Sequence, residues 1–433
     1  MAELNGINGT KTNGTKTNGA GAHIVLDGQI AISPNAPQDL PRLLKEVNAL
    51  SQDLTEGHQE ARLKLIDAAQ SIVRALETPR ETLLRYCWAN STAFAAVEAC
   101  IDLGIFPILA QSDQSRSVTE LAKATGAEPE LLGRLLKHLG AMGVVVETGF
   151  DEYRRNGFST ALAMPRYSDT IPCINGCTIP SIHALPAWLK NNNYTSPNEG
   201  KNSPFSLGFK TDLHFFEFLS ANPEYPHLAG QFNNLMSAYH QGRPSWMDVG
   251  FYPVQDSLIH GARTGIDEVF LVDVGGNKGH DLEEFKTKWP EVPGRLILQD
   301  QPHVLAEIKS LNPAIEATAH DFFTEQPVKG ARTYFLHSIL HDWNDETCQK
   351  ILRRLADAMT LGYSKLLINE NVIPDTGAHW QATSLDIIMM VDLASKERTE
   401  HQWYELIEPT GLKIVKIWSA QASAESLIEC ELA

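Results

Sequence analysis

The sequence predicts an α/β protein: a mostly parallel sheet with helices on both faces and an antiparallel last strand, preceded by a mainly helical region. Three observations carry this. From Glu268 onward, strand-like runs at 268–275, 295–300, 315–320, 331–340 and 363–373 alternate with helix-like runs at 279–289, 302–311 and 344–360. That is the rhythm of parallel strands joined by crossover helices. The chain then closes with LKIVKIW and SLIECEL, separated by only a few residues. So short a connection leaves no room for a crossover helix, so these two strands pair antiparallel. Finally, the first strand-like run ends in a glycine turn, FLVDVGGNKGHDLEEF, and opens on a helical pattern.

The N-terminal elements follow in order. Residues 1–22 repeat Asn-Gly and Lys-Thr units; such a composition buries no apolar area, and 1–39 is expected to be a disordered low-complexity tail. Between Leu40 and Leu76, apolar residues recur at helical spacing (Leu43, Leu44, Val47, Leu50, Leu54, then Leu63, Leu65, Ile66, Ile72), which predicts at least one long amphipathic helix. The stretch from Ser117 reads as helix, turn, helix and a small hairpin. Ser117 with Glu120 three residues on forms a capping box, Gly126 ends the first helix, and Leu131, Leu132, Leu135, Leu136 and Leu139 stripe the second. This winged-helix pattern assigns 40–195 to a helical domain. The polar stretch 190–205 is a loop, and 205–433 forms a second domain.

Charge limits what these domains bind. With 36 basic and 53 acidic residues the net charge is −17. The second helix of the winged-helix pattern offers only Arg134 and Lys137, too few for a phosphate footprint, so nucleic acid is excluded as a partner. No run of about 18 apolar residues is present, so no membrane span is expected. Six scattered cysteines without a CxxC pair argue for buried free thiols in a reducing compartment. With no signal-peptide pattern, the expected location is the cytoplasm.

Ligands of open α/β sheets bind at the carboxyl ends of the strands, near the switch in strand order. The loop there, Asp273-Val274-Gly275-Gly276-Asn277-Lys278-Gly279, fits neither the dinucleotide fingerprint nor a Walker loop. Gly275 and Gly276 still let the backbone approach a ligand closely. An acid ends the second strand, Asp300, placed to accept both hydroxyls of a ribose. A third acid, Asp321, ends the third strand in HDFF and is followed by Phe322; the pair suits an adenine amino group and its ring face.

With loop and acids together, residues 40–433 resemble the S-adenosylmethionine-dependent O-methyltransferases of the plant-type, caffeate-methyltransferase-like class (class II), in its fungal branch. The resemblance implies a Rossmann-like methyltransferase sheet with an antiparallel last strand, an N-terminal winged-helix dimerisation domain, a homodimer, and S-adenosyl-L-methionine as cofactor. Where the family loop carries a third glycine, this chain has Asn277, a residue that tolerates left-handed backbone.

The segment YFLHSILHDWND places His337 and His341 four apart. A zincin pattern needs Glu directly after the first His, where Ser338 stands, so no metal is expected. The resemblance puts His341 on the family's general base, Glu370 (in INENVIP) and Glu397 (in KERTE) on the acids that flank it, and His337 where plant members carry a cofactor-contacting Lys. The implied activity is methyl transfer to a hydroxyl of an aromatic or polyketide-like small molecule. The alternative is a dehydratase or pericyclase that retains the cofactor, as in some fungal proteins of similar sequence.

Overall fold

The runs from 268 onward assemble into one seven-stranded sheet. Its strands are β1 (Val269–Val274), β2 (Arg295–Asp300), β3 (Ile315–Ala319), β4 (Thr333–His337), β5 (Lys365–Glu370), β6 (Leu412–Ser419) and β7 (Ser426–Leu432). They lie in the order β6-β7-β5-β4-β1-β2-β3. The structure, a computed structural model, describes residues 30–54, 59–223, 225–420 and 425–433. Strands β1 to β5 pair parallel; β7 pairs antiparallel with both β5 and β6. The order reverses at β1, so the loop after β1 is the switch point where ligands bind.

Both faces of the sheet are covered, which is why its inner strands are continuous apolar runs. In β4, Tyr334 and Leu336 join Val272, Ile351, Leu355, Ile368 and Trp403 on one face. Phe335, pointing the other way, packs with Trp246, Leu271, Phe285, Leu298 and Leu367.

Three runs differ from expectation. The strand read over 331–340 is Thr333–His337 alone, and the chain then enters the short turn Leu340–Asp342. The helix read over 302–311 is a single turn, Pro302–Leu305. Beyond it, Asn312 donates its N–H to Glu283 Oε1 at 2.6 Å, and Pro313 disfavours helical backbone at Asn312. The strand read over 363–373 divides. β5 ends at Glu370, and Val372–Ile373 turns away to pair parallel with Arg398–Thr399.

The chain divides between Thr92 and Ala93 into two compact units. In the first, the amphipathic region is two helices, Leu40–Asp53 and Gln59–Leu76. Two short 3-10 turns precede them, Ile30–Ile32 and Pro37–Asp39; the rest of the expected tail, 1–29, lies outside the described residues. In the second unit, Ser117 caps Val118–Thr125: its hydroxyl accepts from Glu120 N–H at 3.2 Å and its own N–H donates to Glu120 Oε2 at 2.8 Å. Gly126 ends that helix at φ +78°. Pro129–Ala141 buries Leu132, Leu136 and Leu139, whereas Leu131 is exposed. A hairpin of Val146–Gly149 and Glu152–Arg154 follows, with Arg116–Ser117 paired beside it. All six cysteines are free. Five are buried, but Cys87 is exposed, contrary to the reading of all six as buried.

Candidate active site

The loop after β1 is shaped by its glycines. Gly275 sits at φ +78°, and a Cβ there would lie 2.6 Å from Ile339 Cδ1. A Cβ on Gly276 would lie 2.3 Å from Asp273 Oδ2. Asn277 adopts left-handed backbone at φ +52°, a conformation asparagine accepts at small cost. Its N–H donates to Asp300 Oδ2 at 2.7 Å, while Gln301 N–H holds Oδ1 at 2.7 Å. Asp300 therefore sits against the loop. Burial raises its pKa, opposed by those two N–H groups.

Beneath the loop, Asp273 is fully buried and neither carboxylate oxygen has a hydrogen-bond partner. Burial, with Asp281 nearby, pushes its carboxyl well above the usual range. An orphaned buried acid under a glycine cradle, with a second acid on the loop itself, suits a ligand that carries an amine and ribose hydroxyls. Phe322 lies at the loop as well: its Cε1 would be 3.7 Å from a Cβ on Gly275. Asp321 Oδ1 accepts the Phe323 N–H at 3.0 Å. Asp273, Gly275, Gly276, Asp300 and Phe322 thus surround one place at the carboxyl end of the sheet.

His337 ends β4. Its Nδ1 is 2.8 Å from Asp281 Oδ2 and its Nε2 3.0 Å from Glu425 Oε2. Burial alone would lower its pKa, but the two carboxylates hold it well above the ordinary histidine value. Both ring nitrogens are therefore engaged by protein carboxylates. Arg243 lies 2.8 Å from the other oxygen of Glu425, and Asn369 donates to Oε2 at 3.0 Å. Asp281, Glu425 and Arg243 were absent from the sequence reading. Asp281 carried a usable signal, an acid in the first turn after the glycine loop; Glu425 carried none.

His341 lies on the short turn Leu340–Asp342. Its Nδ1 is 2.8 Å from Glu397 Oε1 and 3.8 Å from Glu370 Oε2. The structure thus brings together all three residues read as the catalytic set. They converge because Val372–Ile373 pairs with Arg398–Thr399, which sets the residues just before those short strands side by side. Glu370 also fixes the turn, since its Oε1 accepts the N–H of Ile339 at 2.9 Å and of Leu340 at 2.7 Å. Asp342, unremarked in the sequence although it follows His341 directly, puts Oδ1 3.4 Å from Nε2.

The imidazole is enclosed by acids. Burial pulls its pKa down, yet Glu370, Asp342 and Glu397 outweigh that and push it up to about 10. Burial likewise pushes Asp342 up to about 7 and raises Glu370. Two clusters have spacing a metal ion could use, His341 with Glu370 and Glu397, and His337 with His240 and Glu425, the ligand atoms in each lying within 4.8 Å of one another. In both, a carboxylate already hydrogen-bonds the imidazole, an arrangement that a proton satisfies.

Comparison with known proteins agrees with this geometry. The family model of the O-methyltransferase domain matches residues 264–413, and that of the O-methyltransferase dimerisation domain matches 81–165. The chain is 37% identical over 394 residues to O-methyltransferase mpaG of Penicillium brevicompactum, covering 90% of this chain and 98% of that protein. A solved structure of a pericyclic reaction enzyme is similar with a TM-score of 0.81 and 29% identity, over 92% of this chain and 100% of that one. OxaC, solved in complex with SAH (S-adenosylhomocysteine) and oxaline, is similar with a TM-score of 0.76 and 25% identity, over 92% and 100% of the two chains. With the glycine cradle and its acids at the switch point, the chain belongs to the caffeate-methyltransferase-like, class II family of S-adenosylmethionine-dependent O-methyltransferases.

Proposed function

We propose that this O-methyltransferase acts on a phenolic hydroxyl of an aromatic or polyketide-like small molecule, with His341 as general base. The observation that carries the reading is the 2.8 Å contact of Nδ1 with Glu397, which fixes the ring and leaves Nε2 for the acceptor. Gly275 and Gly276 admit the cofactor close to the backbone. Asp300 would receive its ribose hydroxyls, Asp321 and Phe322 its adenine, and His337, with both ring nitrogens held by Asp281 and Glu425, would form the wall beside it. Bound there, S-adenosylmethionine supplies an electrophilic sulfonium methyl. The acceptor must lose a proton to attack it, and a phenol holds that proton with a pKa near ~10. His341, pushed up to about 10, matches that basicity. Glu370 and Glu397 then stabilise the imidazolium that forms.

The test is incubation with S-adenosylmethionine and a panel of phenols, following S-adenosylhomocysteine and methylated product. Stoichiometric formation of both supports the reading. A second reading, a cofactor-retaining dehydratase or pericyclase, is favoured by the likeness to the pericyclic reaction enzyme and by Asn277 in the loop. It requires product without cofactor turnover. The domain assignment 1–39, 40–195 and 205–433 belongs to the same reading, with a homodimer formed through the helical region of a cytoplasmic enzyme. Among the described residues, no helix is long and apolar enough to cross a membrane. Light scattering at micromolar concentration should give twice 47.9 kDa.

A further inference from the structure

Of four consecutive residues, Ser395, Glu397 and Arg398 hold the turn that carries His341, and Lys396 pairs with the start of the helix after it. The Ser395 hydroxyl donates to the His341 carbonyl. Lys396 Nζ lies 2.6 Å from Asp345 Oδ2. Glu397 takes Nδ1 of the ring. Arg398, with no exposed surface, directs its guanidinium at the same turn. Nη1 donates to the Leu340 carbonyl at 2.9 Å and Nη2 to the Trp343 carbonyl at 2.9 Å. Nε and Nη2 donate to Asp345 Oδ1 at 3.0 and 2.9 Å.

Burying a guanidinium is costly unless its donors are met. Here they are met by two backbone carbonyls that bracket His341 and Asp342. A planar fork can reach both at once, which a single ammonium cannot. Trp343, whose carbonyl Arg398 holds, packs its ring 6.3 Å from Phe322 and 5.0 Å from Phe323. One side chain therefore ties the turn of His341 to the aromatic wall beside the glycine loop.

We propose that Arg398 is a positioning residue for methyl transfer, which sets the 340–343 turn so that His341 meets Glu397 while Trp343 backs Phe322. The inference rests on His341 being the base. The ionisable groups that face the imidazole are Glu370 at the end of β5, Glu397 beside Arg398, and Asp342 in the turn itself. Asp386, on the helix Trp380–Leu393, holds the N–H of Glu397 at 3.0 Å. If Arg398 lets the turn relax, the carboxylates recede from the ring and its titration midpoint falls.

The experiment is a pH titration of the full chain, labelled with nitrogen-15 histidine and saturated with S-adenosylhomocysteine, read from the ring-nitrogen shifts. His341 is identified by its absence in His341→Gln, and His337 serves as internal control. Arg398→Lys keeps the charge and loses the fork; Arg398→Met loses both. In both variants the His341 midpoint should fall by about one unit or more, with His337 unmoved and calorimetric affinity for S-adenosylhomocysteine within about threefold of wild type. A charge effect alone would leave the lysine variant unshifted and move the methionine variant upward, which overturns the proposal, as does an unshifted midpoint in both. If Arg398→Met does not fold, Arg398→Lys and Ser395→Ala decide, and an unshifted midpoint in both is again fatal. A shifted midpoint in a protein whose methyl transfer survives His341→Gln overturns the base and with it the role of Arg398 in methyl transfer, whereas an unshifted midpoint in a protein whose transfer is lost in His341→Gln overturns the positioning role alone.

Discussion

His337 and His341 leave the same strand four residues apart, the first half-buried and the second buried, both among carboxylates, yet they are built for different work. His337 has a carboxylate on each nitrogen, at 2.8 and 3.0 Å. It is an imidazolium locked into the wall next to the glycine loop and has no nitrogen left to accept a proton. His341 has one carboxylate in close contact, Glu397 on Nδ1, while on Nε2 Asp342 stands at 3.4 Å, beyond a good hydrogen bond. The difference shows that acids around a histidine do not by themselves make a base. What matters is which nitrogen they occupy and which they leave.

The largest expected effect breaks the comparison outright. His341→Ala should lower methyl transfer by roughly 10² to 10⁴, the usual worth of a positioned base, with S-adenosylmethionine affinity nearly intact by calorimetry. His337→Ala should do the reverse, weakening the cofactor and sparing the chemical step at saturation. Asp300→Ala should weaken S-adenosylmethionine binding by about 1–2 kcal/mol, because a charged acceptor of the ribose hydroxyls is lost; unchanged calorimetric affinity would remove Asp300 from the site.

A smaller effect sharpens the electrostatics. The pKa of His341 is raised on folding from about 6.5 to about 10. Its contribution to stability is therefore full below about pH 6.5 and is lost as pH rises through about 10. Melting temperatures of wild type and His341→Gln should converge across that window. A constant difference from pH 6 to 10 would mean that the carboxylates do not raise the ring's pKa.

Much of this was legible in the sequence because it is local. The strand and helix runs and the glycine turn follow from short-range patterns, whereas His341 and the place of Asn277 in the loop were read through the family resemblance. Glu370 and Glu397 were found through motif likeness, and their meeting depends on two-residue strands, 372–373 and 398–399, too short to show as periodicity. Glu425 was invisible for a different reason. It reaches His337 because β7 runs antiparallel beside β5 with Ser426 opposite Glu370, which delivers the residue before Ser426 to the carboxyl ends of the parallel strands. Arg398 reads as one more charge in KERTE. Only its burial against the His341 turn distinguishes it.

The central claim is that His341, and not His337, takes the acceptor's proton. It is tested most directly by comparing methyl transfer in wild type and His341→Ala at one pH across phenolic acceptors of falling pKa. The deficit of His341→Ala should shrink as the acceptor's pKa falls to the assay pH, where solvent supplies the phenolate. A deficit of the same size for every acceptor would contradict the account and leave His341 a residue that only holds the turn.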